Sequence, residues 1–186
     1  SLVSFVGAIL LIRITCASRN RRRSVARSVT STQFRFAERI IAKLLEKGKF
    51  DGIFLADVVG VYDVYGGSPD TALREAAQVP TNDPLLIIPP MADATQHLSF
   101  AVTVNLTQEA PLPFARRMST LDHMTDGRVG WNIVTGYLDS GAKGAGQAKQ
   151  ITHDVRYDIA EEFMSIQYGF WEGSWDRWFI QGSYTF

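Results

Sequence analysis

Three short, almost wholly apolar runs recur along the chain, each separated from the next by a stretch with helical spacing. FDGIFLAD reads as a strand over residues 50–55, LSFAVTVNL over 98–104 and RVGWNIVTG over 128–134. Strands of this kind have no solvent face and need cover on both sides. Their alternation with helices argues for an α/β fold with a parallel sheet and helical crossovers. Before the first strand, FAERIIAKLLEKG places Phe36, Ile40, Ile41, Leu44 and Leu45 on one helical face and stops at Gly48. Between the first two strands, Asp83 and Pro84 suit a helix cap and first turn, and Pro89 and Pro90 interrupt that helix. PLPFARRMSTLDHMTDG predicts a helix from Pro113 to the neighbourhood of Gly127, and a last long helix carries Ile159, Phe163, Ile166 and Phe170 as its apolar stripe.

The three strands should be parallel neighbours in chain order, and in parallel α/β sheets ligands meet the carboxyl ends of the strands. Asp57, Thr103 and Asn132 stand at or near those ends. Each of these residue types also forms ordinary turns, so none is a site by itself. In the run from His123 to Gly136, the strand finishes on Asn132, Thr135 and Gly136, which fits a strand-to-helix turn and a strand end facing a ligand alike. In THDVRYD, His153 opens the last helix and Tyr157 follows one turn later, so an imidazole and a phenol could both reach one ligand oxygen or phosphate. His153 could equally be a plain helix-start residue.

Charge is unevenly spread. The chain is formally neutral, yet its first 35 residues hold seven arginines and no acid, leaving twelve cations against nineteen acids in the rest. An acidic body argues against a nucleic-acid groove, which needs clustered cations. A single cysteine, Cys16, excludes an internal disulfide framework and zinc sites of several cysteines. The histidines His97, His123 and His153 lack metal-ligand spacing, so no metal is expected. There is no GxGxxG after a strand, no GxxxxGK[ST], no HExxH and no GxSxG, so the dinucleotide, P-loop, zincin and nucleophile-elbow readings lack support. GAKGAG shares only its composition with a phosphate loop and reads as a surface loop. The apolar run 1–16, broken by Arg13, is shorter than the roughly 20 residues of a membrane span. SRNRRRSVARSVTS has the composition of an organelle transit peptide; the other readings of this leader are a non-native or mispredicted segment without functional meaning, which is the favoured one, and a first barrel strand followed by a solvated loop.

The runs GKFDGIFLADVVGVYDVYGGSPD, NDPLLIIPPMA, PFARRMSTLDHMTDGRVGWNIVTGYLDS and HDVRYDIAEEFM to WEGSW closely resemble the bacterial-luciferase-like flavin monooxygenases. The resemblance is to the branch that includes nitrilotriacetate monooxygenase component A and dibenzothiophene sulfone monooxygenase, and it covers residues 42–175. It implies a (β/α)8 TIM barrel with insertions and an enzyme that uses reduced FMN and O2 to oxygenate a small organic substrate. It also implies a separate NAD(P)H:FMN oxidoreductase as flavin donor, a homo-oligomer in full-length form and a cytoplasmic location. The positions matching the family's flavin contacts are Asp57, Thr103, His153 and Tyr157, with Asn132 lining the same mouth.

Residues 1–35 and 176–186 depart from the family pattern, so the expected organisation is an atypical leader, a partial barrel domain over 36–175 and an atypical tail. About half a barrel is expected, and the leader should add little to the core. A barrel needs ~200 residues, and its phosphate site commonly uses the loops after strands seven and eight. This leaves two candidate functions: a flavin-dependent monooxygenase represented by its N-terminal part, or a non-catalytic remnant, either inert or interacting through an unpaired sheet edge.

Overall fold

The computed structural model describes residues 9–12, 38–75, 77–78 and 82–173. Its centre is a four-stranded parallel sheet in the order β1 (Ile9–Ile12), β2 (Gly52–Leu55), β3 (Ser99–Asn105), β4 (Val129–Val134). The three strands read from the sequence are therefore adjacent, parallel and in chain order. The leader is corrected at one point: Ile9–Ile12 pairs with Gly52–Leu55 and extends the sheet, which matches the barrel-strand reading of that segment. The remainder of the leader and the tail 176–186 lie outside the described residues, as does Phe36.

Alternation along the strands sorts the side chains into two sets. Ile53, Leu55, Phe100, Val102 and Val104 are buried in the core, with Val129 and Trp131 packed against it. Their neighbours in sequence, Phe54, Ala101, Thr103, Gly130 and Asn132, occupy the other face, because successive residues of a strand point to opposite sides. Register holds the second set together: Phe54 pairs with Ala101, Ala101 with Gly130 and Thr103 with Asn132.

The helices cover the first face. α1 spans residues 38–47, and the short α2 (Asp70–Arg74) comes after a 3-10 turn at Tyr65–Gly67. A 3-10 turn at Pro84–Ile87, capped by Asp83 Oδ1 accepting from Leu85 N at 2.9 Å, runs into α3 (Ile88–Ala92). Prolines 89 and 90 sit in the first turn of α3, where a missing N–H costs nothing. α4 (Pro111–Thr125) starts two residues earlier than the pattern predicts, with Pro111 at its first position, and ends where Asp126 and Gly127 take left-handed conformations. α5 (Asp139–Gly144) corrects the reading of GAKGAG as loop, because its first four residues are helical. α6 (His153–Tyr168) closes the described chain with a π turn at Gly169–Gly173.

Two helical faces are rotated from expectation. In α1 the buried residues are Glu38, Ala42 and Leu45, whereas Ile40 and Leu44 are exposed. Desolvation pushes the Glu38 carboxyl above its usual range, against a backbone hydrogen bond that lowers it. In α6 the wholly buried partner of Phe163 is Gln167 rather than Ile166, because the Gln167 amide donates to Pro111 O at 3.0 Å and ties α6 to the start of α4. Phe114, Trp131 and Phe163 meet with ring centroids 4.5–6.0 Å apart and join α4, β4 and α6.

Candidate functional site at the strand ends

The carboxyl ends of β2, β3 and β4 open into two adjoining cavities of about 310 and 400 Å³, which share Asp57, Val58, Val59 and Asn105 in their walls. The smaller adds Gln78, Asn82, Asp83, Thr103, Gln108 and Glu109. The larger adds Ile133 to Leu138 from the end of β4 and Arg156, Tyr157 and Ala160 from α6. A more open hollow of about 490 Å³ lies between the Pro84–Ile87 turn and α4. It is lined mainly by Leu85, Leu86, Pro89, Pro113 and Leu121, and the chemistry-bearing groups gather at the strand ends instead.

The five residues singled out from the sequence fall into four situations. Asp57, two residues past β2, borders both cavities. Thr103 and Asn132 face each other across the β3–β4 register, and Asn132 Nδ2 donates to Thr103 Oγ1 at 3.0 Å; Thr103 is buried and lines the smaller cavity. Tyr157 lines the larger cavity and remains half exposed. His153 lines neither. Its imidazole stacks on Tyr157 with centroids 4.8 Å apart and pairs with Asp154 Oδ1 at 2.9 Å, at the outer edge of the mouth.

Four further residues border this mouth: Asn105 and Gly136 at the strand ends, and Arg156 and Tyr137, which the sequence does not single out. Asn105 ends β3 and accepts at Oδ1 from Thr107 N (3.2 Å) and Thr107 Oγ1 (2.9 Å), while Thr107 Oγ1 also donates to Thr135 O at 3.2 Å. Gly136 passes so close that a Cβ there would meet Asn105 Nδ2 at 2.4 Å, and its φ of +70° is one that side chains avoid. The polar end of β4 therefore has a structural partner in the end of β3. Arg156 is buried in the wall of the larger cavity, where Nη1 donates to Ile151 O at 3.0 Å and Nε has no partner among the described residues. Tyr137 lines the same cavity beside Tyr62, ring centroids 6.4 Å apart. The helical spacing of α6 made Tyr157 visible in the sequence; Arg156 next to it reads as a solvated charge until its burial is known.

The two walls of this mouth differ in chemistry. Gly130, on the Thr103–Asn132 face, would have nothing within 4 Å of an added Cβ, so the sheet is open to a close approach there. Hydroxyl, amide and carboxylate groups line one side, a phenol and a guanidinium with an unsatisfied buried N–H the other. Among the described residues no group of three or more His, Cys, Asp or Glu side chains could hold a metal ion, and no helix is long and apolar enough to cross a membrane.

A parallel sheet covered on one face by helices, with polar groups collected at its carboxyl strand ends, is the arrangement in which α/β folds place a binding site. Residues 14–185 match the model of the luciferase-like monooxygenases, and the chain belongs to that family. The match runs past both edges of the partial domain expected at 36–175. The chain is 59% identical over 136 residues to the long-chain alkane monooxygenase of Geobacillus thermodenitrificans, covering 73% of this chain and 31% of that protein. It is 54% identical over 136 residues to the dimethyl-sulfide monooxygenase of Hyphomicrobium sulfonivorans, covering 73% and 28%. The branch expected from the sequence is represented by the dibenzothiophene-sulfone monooxygenase of Rhodococcus erythropolis (39% identical, 74% and 30% covered) and nitrilotriacetate monooxygenase component A of Aminobacter aminovorans (31%, 76% and 32%). The crystal structure of a long-chain alkane monooxygenase superposes with a TM-score of 0.78 at 46% identity over 90% of this chain and 39% of that one. A riboflavin lyase solved with modified FMN and riboflavin superposes at 0.71 with 32% identity over 86% and 36%. The fold is thus that of the luciferase-like TIM barrel, and the chain spans about a third of the length of the relatives it matches.

Proposed function

We propose that this chain is part of an FMN-dependent, two-component monooxygenase. The full-length protein would take reduced FMN from a separate NAD(P)H:FMN oxidoreductase and act in the cytoplasm as a homo-oligomer. Bound reduced FMN supplies the two electrons that let O2 place one oxygen atom on the substrate and release the other as water. Asp57, Thr103, Asn132 and Tyr157 are the groups that would hold the flavin, with His153 bracing Tyr157 through the ring stack. Arg156, buried beside Tyr157, supplies positive charge to an anionic tail. The chain's own part is to bind and orient the ring and to exclude water from it, since a dry site suppresses wasteful side reactions. The observation that carries this reading is the gathering of the ends of β2, β3 and β4, together with α6, around adjoining cavities in a chain of this family.

The substrate would be a small, mainly apolar organic compound. Val58, Val59, Ile133, Val134 and Leu138 supply apolar wall, and the first two relatives are named for an alkane and for dimethyl sulfide. A second reading rests on the sheet order: β1 and β4 each pair with one strand among the described residues, and such an edge can recruit another chain in place of catalysis. The test is product formation by the full-length protein with NADH, FMN and a panel of alkanes and thioethers, with and without a flavin reductase. Oxygenated product that requires the reductase supports the monooxygenase; absence of product with every substrate, alongside partner capture through β4, supports the second reading.

A further inference from the structure

We propose that the dipeptide Ser140–Gly141 is a positioning element for Asp57, a role that rests on the flavin reading above. The segment after β2, residues 56–64, has no regular structure of its own, yet it carries Asp57 into both cavities. It is held from 79 residues away. Ser140 Oγ accepts from Val61 N at 3.0 Å and donates to Val61 O at 2.7 Å, closing both backbone groups of Val61 on one hydroxyl. Gly141 packs directly under the same segment: a Cβ there would lie 2.3 Å from Val59 O, a backbone atom that cannot swing aside. Gly60 answers it from the other side, with φ +114° and a would-be Cβ 2.7 Å from Gly141 N and from Ser140 Oγ. Gly141 O also accepts from Gln108 Nε2 at 3.0 Å, which brings in the loop after β3.

The same short helix is anchored towards α6. Asp139 Oδ1 accepts from Gln150 N at 2.8 Å, and Gln150 Nε2 donates to Leu138 O at 3.3 Å. One turn of α5 therefore joins the loops after β2 and β3 to the approach of α6, the elements that carry Asp57 and Tyr157. Only glycine fits at 141, and a hydroxyl is the smallest group able to serve Val61 N–H and C=O together. The contact fixes where the Asp57 carboxylate can stand, so its loss should be felt at the flavin through Asp57.

The experiment uses the full-length protein with Ser140→Ala, Ser140→Thr and Gly141→Ala, each made with Asp57 present and in an Asp57→Ala background. Amide exchange over residues 58–61 and reduced-FMN affinity are measured under anaerobic conditions. Expected are faster exchange in Ser140→Ala and Gly141→Ala, FMN binding weakened about tenfold while Asp57 is present, and less than about a twofold effect once Asp57 is gone. Retention of near wild-type affinity by Ser140→Thr supports the hydroxyl's role. Unchanged exchange and affinity in Ser140→Ala overturn the proposal, and so does an equal loss in both backgrounds. If Gly141→Ala does not fold, Ser140→Ala, which removes one oxygen atom, decides alone. If the wild-type protein binds no reduced FMN, the flavin reading falls and the exchange of 58–61 still decides whether Ser140 holds the segment.

Discussion

Arg128, the first residue of the RVGWNIVTG run, does its work at the end of the sheet opposite the site. Its guanidinium donates to Thr125 O (2.7 Å), Thr95 Oγ1 (3.1 Å), Leu98 O (3.0 Å) and Ala92 O (3.1 Å), so one fork joins the ends of α3 and α4 to the start of β3. A lysine has the charge but not the planar fork. Arg128→Lys should lower stability by about 2 kcal/mol in urea denaturation, because several half-buried carbonyls lose donors at once; a loss under about 0.5 kcal/mol would contradict this. Gly136→Ala should also destabilise, by about 2 kcal/mol or more, since it combines a left-handed backbone with a clash against Asn105; an unchanged melting temperature contradicts it. Strand-end residues such as Asp57, Thr103 and Asn132 are legible in a sequence because they break an apolar run. Arg156 is not, since a buried cation looks in sequence like any other.

At the scale of elements, apolar runs were enough to place β2, β3 and β4, because a strand covered on both sides has little else to be. The short β1 is only one of several readings of its segment, because it lies beside an arginine-rich stretch with the composition of a transit peptide. Helix faces were less legible where a polar group is buried, as with Gln167 in α6 and Glu38 in α1. The Ser140 contact to Val61 joins residues too far apart for local patterns to reveal. α1 is tied to the sheet by Glu46, whose Oε1 accepts from the backbone N–H groups of Gln96, His97 and Leu98 at 2.7, 2.5 and 3.2 Å. Burial tends to raise this carboxyl, but the three N–H donors outweigh it and hold it below its usual range. A carboxylate with a depressed folded pKa stabilises fully above its unfolded value, and that stabilisation is lost as pH falls through the folded value. Glu46→Gln should therefore cost about 1 kcal/mol at pH 7, kept small by solvent screening, and the difference from wild type should fade below about pH 4. A difference that persists undiminished at low pH in thermal melts would show that the charge is not what holds α1.

For the whole molecule, the sheet presents one face to its helices and collects its cavity-lining polar groups on the other face and rim. Family membership was legible because the FLAD, RRMSTLDHMTDGRVGWNIVTG and HDVRYD runs lie within the segment that the relatives share. The 186-residue chain alone, spanning about a third of those relatives, should bind FMN more weakly than about 100 µM, because it presents part of the ring's surroundings; a low-micromolar, one-to-one endpoint in a flavin-fluorescence titration contradicts this. The mouth itself is tested by anaerobic titration of reduced FMN into the full-length protein and its Asp57→Ala and Tyr157→Phe variants, monitored by protein fluorescence. Each variant removes a polar group from the cavity wall, and each should weaken binding by roughly five- to 100-fold without lowering the melting temperature of the unliganded protein. Affinities equal to wild type in both variants would contradict the placement of the flavin at the carboxyl ends of β2, β3 and β4.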